Sequence, residues 1–322
     1  MRYSALCILG ALLVTSATEA WTQAYPSRPV RLIVSSAAGG TGDTIARAVS
    51  KVVGKEIGTN VVVDNRPGAS GMLAARLLVE SEPDGYTMLH TSSGLVTNAS
   101  FRKKMPYDVA KDILPLANLA QSEGYVVMVN SSVPANSIKE LIALGKNKRL
   151  FYGSPGIGNA IHMHTALFAL RAGIDMTHVP YKGLAPAITA VLSGETQVLF
   201  APAIATKVYV TAGRLRALAV ASAGKERMSV MPDVPTLEEL GFKNFRLVGG
   251  WQGWFVPAKT PATIMKQLHA AVRKGVNSPE TVAFLKTGGY NPDGRGPEAF
   301  RTQMLSDLAQ FKEMARVTNI KE

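Results

Sequence analysis

Glycine-rich turns that follow short apolar runs are the segments of this sequence best suited to bind a ligand. One turn occupies residues 153–158, between the apolar run at residues 150–152 and a helix that Asn159 is well placed to cap. Glycine lets backbone N–H groups approach a ligand closely, and the first N–H groups of a helix have no partner within the helix. The helix dipole adds roughly half a positive charge at the same end. Such a turn can hold an anion, although an ordinary strand-to-helix connection has the same composition.

A second turn, Tyr181-Lys182-Gly183, comes shortly after the first along the chain. It follows an alternating run at residues 174–180, which predicts a strand, and Pro186 suits the first turn of the next helix. Gly173 marks the end of the preceding helix. We therefore expect two neighbouring parallel strands whose turns lie at one edge of a sheet, where open α/β sheets bind ligands.

A third turn of this kind occurs near the beginning of the chain. Residues 35–42, with the sequence SSAAGGTG, follow the β-branched run at residues 30–34. Thr41 or Asp43 can cap the helix that follows, whose apolar positions recur at helical spacing. Because this turn and the first two fall in separate regions of the sequence, we expect two lobes that face a common cleft.

Apolar periodicity predicts the remaining elements. In the first lobe we expect a buried strand at residues 61–63, a strand at residues 86–90 and a polar loop at residues 91–94. The sequence ends in amphipathic helices that should cover the first lobe. Trp251 and Trp254 lie in the segment expected to return to that lobe, and we interpret them as packing residues.

The N-terminal segment has the features of a secretory signal. Arg2 precedes an apolar run at residues 5–14, and small residues fit cleavage near Ala20 or Ala24. The run is too short to span a bilayer, which takes about 20 apolar residues. The only cysteine, Cys7, lies within this run and lacks the context of a lipoprotein anchor. We expect a periplasmic mature protein without disulfides or thiolate chemistry.

The composition is typical of a compact protein with a basic surface. Apolar residues make up 47% of the sequence and charged residues only 18%, which does not favour disorder. The 35 basic residues outnumber the 23 acidic residues, and the formal charge of +12 attracts anions. The densest basic group, at residues 146–149, contains no aromatic side chain, so we do not expect nucleic-acid binding.

Familiar catalytic and cofactor motifs are not matched. Residues 40–42 imitate a dinucleotide-binding fingerprint, but Ile45 stands where Gly or Ala is needed. The glycines are not followed by the Gly-Lys-Ser/Thr of a phosphate loop, and no G-x-S-x-G elbow occurs. His162 and His164 would point to different sides of a helix, and we interpret His90, His178 and His269 as structural. We expect no catalytic residue, no cofactor and no metal.

Long segments match one protein family almost from end to end. These segments are YPSRPVRLIV, AGGTGD followed by IAR, VVVDNRPGASG, DGYT, KKMPYD followed by KD, GSPGIG followed by H, HVPYKG followed by APA, GRLRALAV, MPDVPTLEELG and WFVPAKTP. On this basis the sequence resembles the Bug proteins, the extracytoplasmic solute receptors of the tripartite tricarboxylate transporter system.

The resemblance implies an α/β protein with two Rossmann-like lobes joined by crossover strands, the periplasmic-binding-protein type II (Venus-flytrap) fold. Such a receptor closes on a small carboxylate and performs no chemistry. We expect a signal peptide at residues 1–24, a first lobe at residues 25–123 and 250–322, and a second lobe at residues 124–249. Permease subunits of a transporter, or a sensor, would be its partners, and the family expectation is a monomer.

The resemblance also places the ligand between the turn at residues 37–43 and the helix starts near residues 156–160 and 181–186. Backbone N–H groups and bridging waters would make most of the contacts, and three serines would donate from their side chains. The expected ligand-binding residues are Ala38, Gly39, Gly40, Thr41, Gly42, Asp43, Ser92, Ser93, Ser154, Gly156, Gly158, Asn159, Ala160, Tyr181, Lys182, Gly183, Pro186 and Ala201.

Two charged residues of this set have alternative interpretations. Asp43 either caps its helix, where the dipole stabilises its charge, or contacts an amine of the ligand. Lys182 could supply positive charge to the ligand, although an exposed loop lysine is the ordinary expectation.

Some positions depart from the usual family pattern. Residues 35–36 are both serine where the family commonly has proline and an aromatic residue, Asn159 replaces a serine, and Gln197 replaces an acidic residue. Ala201 stands where a polar residue is common. The smaller side chains would suit a larger, less polar or aromatic acid. Two other functions stay open, namely a two-lobed enzyme acting on an anionic metabolite and a basic envelope protein that binds polyanions.

Overall fold

The computed structural model describes residues 25–321, and the predicted signal peptide with its Cys7 lies outside the described residues. Strands and helices alternate along most of the described chain. The strands are β1 (Val30–Val34), β2 (Val61–Asn65), β3 (Thr87–Ser92), β4 (Ile113–Ser122), β5 (Gly124–Asn130), β6 (Leu150–Ser154), β7 (Met176–Pro180), β8 (Val198–Ala201), β9 (Leu215–Ser222), β10 (Trp251–Pro257) and β11 (Tyr290–Pro292). The helices are α1 (Thr41–Ile57), α2 (Met72–Val79), α3 (Gly94–Phe101), α4 (Ile138–Asn147), α5 (Ala160–Ala172), α6 (Leu184–Ser193), α7 (Ala203–Thr211), α8 (Ala262–Val276), α9 (Pro279–Thr287) and α10 (Pro297–Val317).

Within residues 25–321 the strands form two sheets. The first has the order β11-β4-β10-β3-β1-β2, and the second has the order β7-β6-β8-β5-β9. β1 runs parallel to β2 and β3, and β6 runs parallel to β7 and β8. β10 and β5 run antiparallel to both of their neighbours. The predicted α/β architecture with two Rossmann-like lobes is confirmed.

Two crossover segments connect the two sheets, and they run next to each other. β4 ends in the first sheet at Ser122, and β5 begins in the second sheet at Gly124. The chain returns to the first sheet where β10 begins, at Trp251. The Ser122 N–H donates to the Gly250 carbonyl over 2.9 Å. The two crossovers are therefore hydrogen-bonded to each other at the junction of the sheets.

Apolar helix faces cover the first sheet. Ile45, Val49 and Val53 of α1 recur every four residues and are fully buried, on a helix that packs against α8. α10 packs on α3 and β4, as predicted for a helix that covers the first lobe, but it also contacts α5 beside the second sheet. Trp251 and Trp254 are fully buried, which confirms their interpretation as packing residues. None of the helices between residues 25 and 321 combines the length and the apolar character that a bilayer crossing requires.

Two predictions for the first sheet are wrong. The strand predicted at residues 61–63 is not buried, because β2 is the edge of the sheet and Val62 is 51% exposed. Residues 91–94 are not a loop, because β3 continues to Ser92 and α3 begins at Gly94. Glycine and β-branched residues are poor helix formers, so α3 depends on its packing against α10 rather than on local propensity.

Candidate functional site

The turns after β6 and β7 leave the sheet at one edge, as predicted. The two strands are parallel, and Ser154 is in register with Pro180 at their ends. α5 begins directly after Asn159, whose Oδ1 accepts the Ile161 N–H over 2.9 Å, so the predicted cap is confirmed. Gly173 ends the helix in the left-handed conformation that glycine favours.

A buried carboxylate organises the turn before α1. The N-cap position belongs to a glycine, so the predicted caps Thr41 and Asp43 are both wrong. Asp43 lies in the first turn of the helix. It accepts hydrogen bonds of 2.9–3.0 Å from Gly39 N–H, Arg47 Nε and Asn65 Nδ2. Burial alone would raise the pKa of Asp43, but these hydrogen bonds and the Arg47 charge together lower it. This arrangement favours a structural role for Asp43 over contact with a ligand amine.

Internal partners occupy the glycine N–H groups of the turn after β6. Ser154 is fully buried, and its Oγ donates to the Gly156 carbonyl over 3.0 Å. The Gly156 N–H donates to Ser154 Oγ over 3.2 Å, and the Gly158 N–H donates to His162 Nδ1 over 3.0 Å. The N–H groups of Gly156 and Gly158, which the sequence predicted as anion donors, therefore already have hydrogen-bond partners within the protein.

Other N–H groups at the helix starts have no hydrogen-bond partner, although most belong to buried residues. They belong to Thr41, Gly42 and Asp43 of α1 and to Ala160 and His162 of α5. Within residues 25–321, no acceptor forms a hydrogen bond with any of these five backbone groups. Free N–H groups at the positive end of a helix dipole are suited to bind an anion.

Residues of the two sheets meet at two glycines. A Cβ placed on Gly156 would lie 3.4 Å from Ser70 Oγ, and a Cβ on Gly158 would overlap the ring of Phe101. Ser70 lies just before α2, and Phe101 is the last residue of α3. The first lobe therefore touches the turn after β6 through these two side chains. Sequence reasoning missed both residues, although the motif GASG, which contains Ser70, is itself a glycine-rich turn after a strand.

Gly71 extends this contact to the turn before α1. A Cβ on Gly71 would lie 3.2 Å from both Ser35 Cβ and Thr91 Oγ1. Ser35 Oγ donates to Thr91 Oγ1 over 2.9 Å. The segment at residues 70–71 therefore contacts both the turn before α1 and the turn after β6. It links the first and third predicted turns.

Some predicted side chains are engaged elsewhere. Ser93 is 2% exposed, and it packs so closely on Gly249 that a Cβ there would lie 2.5 Å from Ser93 Cβ. Ala201 is fully buried in β8. The Tyr181 hydroxyl donates to Glu195 over 2.7 Å. The exposed members of the predicted set are Ala38, Gly39, Lys182 and Pro186, and the partly buried members are Gly40, Thr41, Ser92, Gly156, Asn159, Tyr181 and Gly183.

Two fully buried histidines act as neutral hydrogen-bonding groups. His90 Nδ1 accepts the Trp254 indole N–H over 3.1 Å, and His164 Nε2 accepts the Val248 N–H over 3.0 Å. Burial lowers the pKa of each to about 4. His90 is thus structural, as interpreted from the sequence. Among residues 25–321, no three His, Cys, Asp or Glu side chains are placed to share a metal ion.

A family model described as the tripartite tricarboxylate transporter family receptor matches residues 45–317. The chain belongs to this family. BugT of Bordetella pertussis carries the Bug name. It is 29% identical to this chain over 322 residues, which cover 98% of each protein. The UPF0065 protein in the tcbD-tcbE intergenic region of Pseudomonas sp. strain P51 is 32% identical over 317 residues, 97% of this chain and 93% of that protein.

Solved structures share the receptor fold over nearly the whole described chain. The periplasmic binding protein BugD is 29% identical with a TM-score of 0.85, and the match covers 92% of this chain and 99% of BugD. An R. palustris protein with adipate is 30% identical with a TM-score of 0.87, at 92% and 99% coverage. MatC from Rhodopseudomonas palustris with bound malate is 26% identical with a TM-score of 0.81, at 90% and 99% coverage.

Proposed function

We propose that the chain is an extracytoplasmic solute receptor that binds a small carboxylate between its two lobes and performs no chemistry. The proposal rests on the unpaired N–H groups at the starts of α1 and α5, one helix from each lobe, near the glycines where the lobes touch. A carboxylate has two oxygens, so it can accept from both helix starts at once. The structures of relatives with adipate and with malate support this ligand class.

The lobes divide at the crossovers. The first lobe comprises residues 25–123 and 250–322, and the second comprises residues 124–249. The membership of the sheets supports this division, since β1 to β4, β10 and β11 form one sheet and β5 to β9 form the other. A ligand that contacts both lobes only in the closed state shifts the population toward that state through its differential affinity.

The receptor works in the periplasm as a monomer. The predicted signal peptide supports this location, and the structural relative BugD is a periplasmic binding protein. Its partner is a membrane permease, or a sensor, that recognises the closed state. The partner distinguishes loaded from empty receptor because the ligand favours the closed state, in which the two lobes present a joined surface.

The residues around the proposed site indicate which kind of acid the receptor binds. Among the predicted site residues, Asp43 is committed to its turn and Lys182 is exposed. Backbone dipoles therefore neutralise the ligand charge. Ser35 and Ser36 are small side chains in the turn before α1, and they leave room for a larger or aromatic acid.

A thermal-shift screen tests the proposal. Mature protein, shown by mass spectrometry to carry no ligand, is heated with mono-, di- and tricarboxylates that include aromatic acids. The uncharged amides of the same acids are the matched controls. An acid present at a hundredfold excess over its Kd stabilises the folded state by about 2.7 kcal/mol, and its amide should leave Tm unchanged. Failure of every acid to raise Tm, or conversion of an acid into product, would contradict the proposal.

A further inference from the structure

Two histidine rings lie stacked beneath the turn that follows β6. The rings of His162, in the first turn of α5, and His178, in β7, have centroids 3.7 Å apart and planes 8° from parallel. Tyr152 of β6 stacks on His178 with the ring centroids 5.1 Å apart. The pair joins the helix start of α5 to the neighbouring strand, directly under the predicted anion-binding turn.

Each imidazole is linked by hydrogen bonds to one glycine of the turn. The Gly158 N–H donates to His162 Nδ1 over 3.0 Å, so this nitrogen carries no proton. His178 Nε2 lies 2.6 Å from Ser154 Oγ, which accepts the Gly156 N–H over 3.2 Å. His162 thus fixes Gly158 directly, and His178 fixes Gly156 through Ser154.

We propose that His162 and His178 are positioning residues that fix the turn at residues 154–158, so that the N–H groups of Ala160 and His162, and not those of the glycines, receive the anionic ligand. This inference rests on the proposed function, since it assigns the donors of the same site. It reverses the expectation from the sequence, in which the glycine N–H groups formed the cradle. Without His162 the Gly158 N–H would have to turn toward water, and the start of α5 would move with it.

The pair acts without charge. Burial lowers the pKa of His162 to about 3, with a contribution from the neighbouring ring, and lowers the pKa of His178 to about 4. Among residues 25–321, the other titratable groups that line the cavity of about 430 Å³ beside the rings are Tyr152 from β6, Asp175 before β7 and Lys321 after α10. A protonated His162 could not accept the Gly158 N–H. A neutral pair therefore positions the turn at every pH from about 6 to 8.

Two substitutions of His162 separate the acceptor from the ring. His162→Asn keeps an oxygen close to the position of Nδ1 but removes the stack, whereas His162→Phe keeps a stacking ring but removes the acceptor. Amide hydrogen exchange at Gly158, measured by NMR on the ligand-free protein, should stay slow in His162→Asn and become at least about tenfold faster in His162→Phe. Adipate and malate are titrated in parallel against each protein. For the acid that binds wild type, the Kd of His162→Asn should stay within about threefold of the wild-type value, and the Kd of His162→Phe should be about tenfold higher.

The outcomes separate this inference from the proposed function. Unchanged Gly158 exchange in His162→Phe, or an equal increase in both variants, would overturn the positioning role. A wild-type affinity that rises as the pH falls through about 6.5 would also overturn it, because an imidazolium would then contact the ligand. If wild type binds neither acid while Gly158 exchange follows the expected order, the positioning of the turn stands and the proposed function loses its support.

Discussion

Gly158 shows how one residue without a side chain sets the distance between the lobes. Its φ of 70° is a left-handed conformation, and the Phe101 ring fills the space where a Cβ would lie. Gly156 stands in the same relation to Ser70, at a looser distance. Glycine at these positions therefore lets side chains of the first lobe reach the backbone of the second.

Gly158→Ala is expected to hold the lobes apart. A left-handed conformation costs a residue with a Cβ about 1–2 kcal/mol, and the new methyl group would also overlap Phe101. Gly173→Ala is the matched control, because Gly173 has a φ of 63° and nothing within 4 Å of its Cβ position. Urea unfolding should show a loss of stability in both variants, but small-angle scattering with a saturating acid ligand should show a larger radius of gyration than wild type only in Gly158→Ala. Equal radii would contradict the contact.

The cap at Asn159 gives a second prediction for a single side chain. Asn159→Ala removes the acceptor of the Ile161 N–H and should lower the free energy of unfolding by about 1 kcal/mol. Asn159→Ser retains a capping oxygen and should unfold at nearly the wild-type urea concentration. Similar midpoints for the two variants would show that the cap does not stabilise α5.

The sequence predicted those elements whose signals are local. The cap at Asn159, the stop at Gly173 and the strands β6 and β7 each follow from a few adjacent residues. α3 was missed because its stability comes from packing on α10, which overrides the poor local propensity. The contacts of Ser70 and Phe101 join segments far apart in sequence, and the His162–His178 stack depends on how α5 sits over β7. The sequence led us to expect two lobes facing one cleft, but neither the side chains through which the lobes touch nor the partners of the glycine N–H groups could be inferred from spacing.

α10 places a buried carboxylate against the returning crossover. Asp307 Oδ2 accepts the Trp251 indole N–H over 2.8 Å, and Trp251 begins β10. Burial raises the pKa of Asp307 to about 6, although Trp251, the Gly249 N–H and Arg295 oppose the shift. The Asp307 side chain is therefore protonated more easily in the folded chain than in the unfolded chain.

This pKa shift predicts a pH dependence of stability. The folded-state pKa of Asp307 exceeds its ordinary value of 3.8, so the stabilisation from proton binding is complete below about pH 4 and is lost as the pH rises through about 6. Asp307→Asn keeps an acceptor for Trp251 but does not titrate. Its free energy of unfolding, relative to wild type, should rise by roughly 2–3 kcal/mol between pH 4 and 7. Urea unfolding at several pH values checks this, and parallel profiles for the two proteins would contradict the raised pKa.

The two lobes are also held together away from the glycine contacts. The crossovers are hydrogen-bonded at Ser122 and Gly250, and the His164 ring of α5 lies edge-on to Phe311 of α10 with centroids 6.0 Å apart. An open state of the receptor has to break the contacts at Gly156 and Gly158, while these other contacts can keep the lobes attached. The whole molecule is thus suited to bind a ligand by closing its two halves around it.

Amide hydrogen exchange with and without the acid that gives the largest thermal shift tests this central claim most directly. The receptor account predicts slower exchange, on ligand binding, at both helix starts together. These groups are the N–H groups of Thr41, Gly42 and Asp43 in α1 and of Ala160 and His162 in α5. Protection at only one of the two helix starts, or at neither while Tm rises, would contradict the claim that one carboxylate is held by both lobes.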